Sequence, residues 1–178
     1  MVILLKWVGV ALAVVLAVAV VAYVVGSRLP REHAVTVSAR YAAPPDLLWR
    51  VISDVRNSAS FRRDIESVEL LASSFGVQRW RERSRHGTTT YVMDAWDPPH
   101  RMVTRIADDA LPYGGSWEFR VERDGTGSRL SITERGFVTP PVFRFMQTFV
   151  FGLTRTLEQY HRSLGEHFGE RVTPVIDG

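Results

Sequence analysis

The sequence predicts an α+β domain, a curved antiparallel sheet of about seven strands wrapped on a long C-terminal helix, preceded by one transmembrane helix. Three observations carry that expectation. No charged residue falls between Trp7 and Val25. From Ala34 to Arg135 the chain reads as short strands separated by turn residues. From Pro140 to Gly169, the residues Val142, Met146, Phe149, Leu153, Leu157, Tyr160, Leu164 and Phe168 recur at helical steps and share one face. A long amphipathic helix needs a broad apolar partner, and a curved sheet supplies one.

A helix of roughly 20 apolar residues crosses the hydrocarbon core of a bilayer. Val2 to Leu5 extend the apolar run beyond Lys6, whose long stem can reach the interface. Lys6 also fits the basic start of a cleaved signal peptide. The run is longer than an ordinary signal core of about 7–15 residues, however, and Val24-Val25-Gly26 makes a poor cleavage site. Residues 1–26 are therefore expected to be an uncleaved anchor, with 2–25 in the bilayer. Arg28, Arg31 and Arg40 on the C-terminal flank outnumber Lys6 on the other side, which predicts a plasma-membrane protein with its domain on the cytoplasmic side. Residues 27–33 read as a linker, with Gly26 to Pro30 as a short tether.

The remaining elements follow in order. Val35, Val37, Ala39 and Tyr41 alternate with polar residues along a first strand. Pro44-Pro45 closes it and opens a short helix over Leu47 to Ile52; a second helical turn follows near Phe61. A meander comes next: Val68 to Leu71, then Val77 to Trp80, a His86-Gly87 turn, Thr88 to Trp96, and Met102 to Ile106. Trp117, Phe119 and Val121 alternate with charged residues, and Asp124-Gly125-Thr126-Gly127 turns the chain into Leu130, Ile132 and Glu134. Pro140-Pro141 suits the first turn of the last helix and Gly169 its end. The domain spans 34–170, and 171–178 is a C-terminal tail.

Composition narrows the function. The chain has no cysteine, which removes disulfides, thiolate metal sites and thiol nucleophiles together. Its basic residues are scattered, so no nucleic-acid partner is expected. The histidines His33, His86, His100, His161 and His167 are dispersed, and His161 and His167 fall on different helix faces, so no metal site is expected. Gly125-Thr126-Gly127 is a hairpin turn, because a phosphate loop needs a following helix. Glu134 shares strand parity with Leu130 and Ile132. Either it meets water at the strand end, or it points into an apolar site with a raised pKa and acts as acid or base. Arg79, Arg81 and Arg83 make one strand face basic, either a solvated exterior paired with neighbouring acids or a seat for an anionic head group.

The order of elements, together with Ala42-Ala43-Pro44-Pro45-Asp46-Leu47-Leu48-Trp49, Ile52-Ser53-Asp54, Trp80-Arg81-Glu82-Arg83, Trp96-Asp97-Pro98-Pro99-His100-Arg101-Met102 and Leu157-Glu158-Gln159-Tyr160, resembles the polyketide cyclase/dehydrase and lipid-transport branch of the START-like (SRPBCC) superfamily. The resemblance covers about Val35 to Phe168 and implies the helix-grip fold, which the major birch pollen allergen and the lipid-carrying START domains share. Typical members are soluble, and this chain adds an anchor. The motifs are packing and turn signatures, so they speak to fold more than to chemistry.

In such a fold the bent sheet leaves an apolar cavity over the helix, able to hold lipids, sterols, polyketides or isoprenoids. The candidate lining is Trp117, Phe119, Leu130 and Ile132 from the sheet and Phe145, Met146 and Phe149 from the helix, unless these simply pack a closed core. Three functions are open. One is a membrane-anchored domain that binds a lipid or isoprenoid in transport or sensing. Another is a cyclase or dehydratase acting on a polyketide-like substrate, with Glu134 or Tyr91 as acid or base. The third is an interaction module with a closed core. No cofactor is expected in any of them.

Overall fold

The computed structural model describes residues 2–74, 76–85, 87–108 and 110–177. Met1, His86 and Gly178, assigned above to the anchor, a turn and the tail, lie outside the described residues. The chain divides into two compact units. One is made of Met1–Glu32 and Val138–Leu153, the other of His33–Phe137 and Thr154–Gly178.

The first unit is helical. Its α1 covers Val2–Arg28 and is long and apolar enough to cross a membrane. The helix runs through Ser27 and Arg28, so less of the tether is extended than expected. A second helix, α2, belongs to the other unit and covers Pro45–Ser53; the third, α3, covers Pro141–Met146 and packs on α1. The residues after α3, Gln147–Phe151, form a π turn closed by a 2.9 Å bond from the Gly152 N–H to the Gln147 carbonyl. Gly152 then takes φ +80, a conformation open to glycine, and the helix ends there.

That break corrects the single long helix expected from Pro140 to Gly169. A fourth helix, α4, starts only at Arg155 and runs to His167. The π turn shifts the helical phase, so residues that share one face on an ideal wheel separate. Val142 and Phe149 are exposed, whereas Leu157 and Leu164 are buried.

The second unit is an eight-stranded sheet covered by α2 and α4. The strands are β1 (Glu32–Tyr41), β2 (Ile65–Ser74), β3 (Val77–Ser84), β4 (Gly87–Asp97), β5 (Arg101–Ile106), β6 (Tyr113–Asp124), β7 (Gly127–Val138) and β8 (Val175–Asp177). Their order in the sheet is β2-β3-β4-β5-β6-β7-β1-β8. Seven follow the expected alternation. The eighth comes from the tail, where Ile176 pairs with Val37 in antiparallel register. Irregular register between Ile65 and Ser67, between Leu71 and Ser74 and between Met93 and Ala95 bends the strands, as bulges do, and gives the sheet its curvature.

A 3₁₀ turn over Val55–Ser60 is the second of the two short helices expected after β1. Pro45 opens α2, which buries Leu48, Trp49 and Ile52 on one side. These meet Val37, Trp80, Met102, Val121, Leu130 and Ile132 from the sheet and Leu157 and Leu164 from α4 in one hydrophobic core. His161 is fully buried within it. Its Nε2 lies 3.0 Å from the Val37 carbonyl and its Nδ1 2.8 Å from the Tyr41 hydroxyl, so the neutral ring donates at one nitrogen and accepts at the other. Burial lowers its pKa to about 4.

Candidate functional site

Strand alternation builds one wall of the site. Along β3, Trp80 and Glu82 turn inward and are buried, while Arg81 and Arg83 turn outward. The outward pair meets acids of the neighbouring strand, Arg81 with Glu69 at 3.0 Å and Arg83 with Glu66 at 3.4 Å. Those contacts fit the solvated-exterior reading of that basic face.

A buried carboxylate needs a partner, because desolvating an unpaired charge is costly. Glu82 is 6% exposed, and Arg62, from the segment between the 3₁₀ turn and β2, supplies the charge. Its Nη1 lies 3.1 and 3.0 Å from the two Glu82 oxygens, and its Nη2 donates to Asp64 at 2.9 Å. The Trp80 indole also donates to Glu82, at 3.1 Å. Burial opposes the Arg62 charge, but the carboxylates of Glu82 and Asp64 outweigh it and raise its pKa.

This pair faces a cavity of about 110 Å³ between the sheet and α4. Five aromatic rings stand in its walls, those of Trp80, Tyr91, Trp117, Phe119 and Tyr160. Tyr91 stacks on Trp80 with ring centres 5.7 Å apart and meets Trp117 edge-on at 5.9 Å. Tyr160 from α4 packs against Phe119 at 5.6 Å and lies 5.9 Å from the Arg62 guanidinium carbon. Met102, Ile132 and Leu157 supply aliphatic surface, and Ser58, Thr104 and Thr156 add small hydroxyls.

Neither the Tyr91 nor the Tyr160 hydroxyl has a hydrogen-bond partner among the described residues. Burial raises the pKa of both, with Glu82 adding to the effect at Tyr91 and Arg62 opposing it at Tyr160. Both phenols stay protonated at neutral pH and can donate. The cavity therefore offers an apolar surface, two hydroxyl donors and a charged edge, a combination suited to a largely apolar ligand bearing oxygen.

Of the residues expected to line a pocket, Trp117, Phe119 and Ile132 lie at the cavity, and so does Tyr91. Leu130 is fully buried in the core. Phe145, Met146 and Phe149 belong to the helical unit, where Phe145 and Phe149 pack with ring centres 5.0 Å apart. Glu134 is half-buried, accepting from the Trp117 indole at 3.0 Å, with the His33 imidazole at 3.2 Å. It is not among the residues that line the cavity.

Arg62, Glu82 and Tyr160 were not singled out by sequence. Glu82 left a signal: it shares strand parity with Trp80, so an inward tryptophan implies an inward carboxylate and a cation to meet it. Nothing local marks Arg62 as that cation, since Arg63 stands beside it.

The profile of a family described as polyketide cyclase / dehydrase and lipid transport matches residues 32–167. No curated protein matches the sequence significantly. Among solved structures, the Zhui aromatase/cyclase from Streptomyces sp. R1128 is similar at 27% identity and a TM-score of 0.56, over 76% of this chain and 90% of that one. Truncated norcoclaurine synthase from Thalictrum flavum is similar at 12% identity and a TM-score of 0.61, over 77% and 93% of the two chains. The di-domain ARO/CYC BexL from the BE-7585A biosynthetic pathway is similar at 18% identity and a TM-score of 0.61, over 83% of this chain and 53% of its own. The last two likenesses concern the fold alone.

Proposed function

Because the chain belongs to the polyketide cyclase / dehydrase and lipid transport family, we propose that it binds an oxygen-bearing apolar small molecule, a lipid or isoprenoid, at a membrane to which α1 anchors it. The observation that carries this reading is the apolar cavity with two tyrosine hydroxyls, Tyr91 and Tyr160, that have no hydrogen-bond partner among the described residues. Those donors would meet a carbonyl or hydroxyl oxygen, while Trp80, Trp117 and Phe119 would cover the apolar body. At about 110 Å³ the cavity suits one compact end of a ligand; drug-sized pockets run to roughly 300–1,000 Å³. Thr156 is exposed at the lining, on the side where a longer tail would leave.

Anchoring raises the local concentration of a membrane-soluble ligand at the cavity, which suits transport or sensing. Arg28 at the end of α1, with Arg31 and Arg40 beyond it, favours a domain on the cytoplasmic face of the plasma membrane. The test is native mass spectrometry of the full chain released from mild detergent, with solvent extraction of whatever it carries. A stoichiometric apolar adduct supports the reading. A folded chain that stays empty across a panel of lipids and isoprenoids overturns it.

A second reading is a cyclase or dehydratase, favoured by the likeness to an aromatase/cyclase and by Arg62. A guanidinium at the wall can stabilise the oxyanion that forms when a carbonyl is enolised. Ring closure also needs a base for the α-proton. Among the described lining residues the only carboxylate is Glu82, already holding Arg62 and the Trp80 indole. Binding without turnover is therefore preferred. Cyclisation of a poly-β-ketone mimic, lost in Arg62→Met, would reverse that preference.

A further inference from the structure

The helical unit carries a feature that ligand binding does not use. Along α3 and the π turn after it the chain presents Val142, Phe143, Phe149, Val150 and Phe151 to the outside, each between 39% and 59% exposed. Isolated apolar residues on a surface are ordinary, but five within ten positions form a patch. From Pro140 to Leu153 the one charged side chain is Arg144, and it is buried. It donates to the carbonyl of Gly26 at 2.9 Å and of Thr139 at 3.0 Å. The segment's outer surface is therefore free of charge.

The same contacts fix where this segment stands along α1. Ala22 and Gly26, one turn apart, are buried in the packing of α3 on α1. A Cβ on Gly26 would lie 1.9 Å from the Pro141 carbonyl oxygen, so only glycine allows the two backbones to meet. Small residues at such spacing are how helices approach closely in bilayers. Tyr23 and Val24, on the other faces of that turn, stay exposed and apolar. The patch is thus continuous with the apolar surface of the span.

The backbone is also suited to an apolar medium. Pro140 and Pro141 remove two N–H groups from the start of α3, where such donors lack helical partners. The π turn closes its own ladder at Gly152. Arg144 occupies the Gly26 carbonyl near the C-terminal end of α1, where positive charge is favoured.

Taking α1 as a membrane span, the reading on which this rests, we infer that residues 142–151 form a wedge inserted into the same leaflet as the C-terminal end of α1. The occupant of the patch is the lipid bilayer. The chain then holds the membrane at two points, a span and a shallow re-entrant turn, and the second limits rotation about the first.

The natural absence of cysteine permits a direct test. Single-cysteine variants V14C, F143C, F149C, F151C and T126C of the full chain carry an environment-sensitive fluorophore in phosphatidylcholine and phosphatidylglycerol vesicles. V150C repeats the reading without removing an aromatic ring. The expected result is that positions 143, 149, 150 and 151 are quenched by doxyl-labelled lipid and shielded from aqueous iodide, while position 126, in an exposed turn, behaves oppositely. Iodide quenching at the four patch positions with position 14 still in lipid overturns the wedge and leaves the anchor standing. Iodide quenching at position 14 overturns the anchor and the wedge with it.

Discussion

Arg62 holds both carboxylate oxygens of Glu82 with a single nitrogen, at 3.0 and 3.1 Å, at the wall of the cavity. The second nitrogen of the guanidinium is taken by Asp64. The arrangement joins the segment before β2 to β3 and keeps a charge at the edge of a largely apolar site.

Removing one member of this pair leaves the other buried without compensation. Arg62→Met and Glu82→Gln are each expected to destabilise the sheet unit by about 3 kcal/mol. The double replacement Arg62→Met with Glu82→Gln is expected to cost less than the two single changes together. Thermal unfolding followed by tryptophan fluorescence measures all three; additive losses would show that the pair is not coupled.

The tyrosines behave differently. Because their hydroxyls have no partner among the described residues, Tyr91→Phe and Tyr160→Phe should leave stability nearly unchanged. Each should weaken binding of an oxygen-bearing ligand about fivefold, the worth of one hydrogen bond near 1 kcal/mol. Fluorescence titration reads this directly, since Trp80 and Trp117 line the cavity. Unchanged affinity in both variants would remove the hydroxyls from recognition.

His161 makes stability depend on pH. Its pKa falls from 6.5 to about 4 because burial disfavours the charged ring. Between those values the unfolded chain binds a proton that the folded chain excludes, so stability is lost as pH drops from 6.5 towards 4. The loss reaches about 3 kcal/mol at 1.36 kcal/mol per unit. Glu118, held low by Arg101 and Arg120 against the cost of burial, and Glu158, held low by Thr154 and Arg162, add their losses only below the ordinary carboxylate range. His161→Leu should therefore flatten the unfolding midpoint between pH 4 and 6.5. The Tyr41 hydroxyl keeps the carbonyl of residue 161, 3.3 Å away. A midpoint that still falls across that interval in the variant would assign the effect elsewhere.

Gly26 is the point at which α3 meets α1. Gly26→Ala adds a methyl group where only 1.9 Å separates its position from the Pro141 oxygen, so the two helices must move apart. Spin labels at Tyr23→Cys and Phe143→Cys should give a narrow distance distribution in the parent and a longer, broader one in the alanine variant. An identical distribution would show that the contact is dispensable.

Local alternation in the sequence determined the seven main strands and the inward parity of Trp80 with Glu82, because a strand's side chains change face at every residue, and Pro44-Pro45 marked the short helix that follows. Trp117, Phe119 and Ile132, expected from the fold to face a pocket, and Tyr91, expected only as an acid or base, all stand at the cavity. The sequence also marked the apolar helix at the N-terminus, because an uninterrupted run of that length needs no tertiary context to be read.

Three things were decided only in the tertiary structure. The stripe from Val142 to Phe168 is one face on an ideal wheel, yet the π turn and Gly152 divide it between two units. Glycine permits a left-handed residue without demanding one, so packing had to choose. Glu82 announced a need for a cation, but Arg62 answers it from 20 positions away in sequence, and adjacent Arg63 turns instead to Glu166. Strand β8 had no period of its own and forms because β1 offers it an open edge. Periodicity records which face a residue takes; it carries no record of what that face will meet.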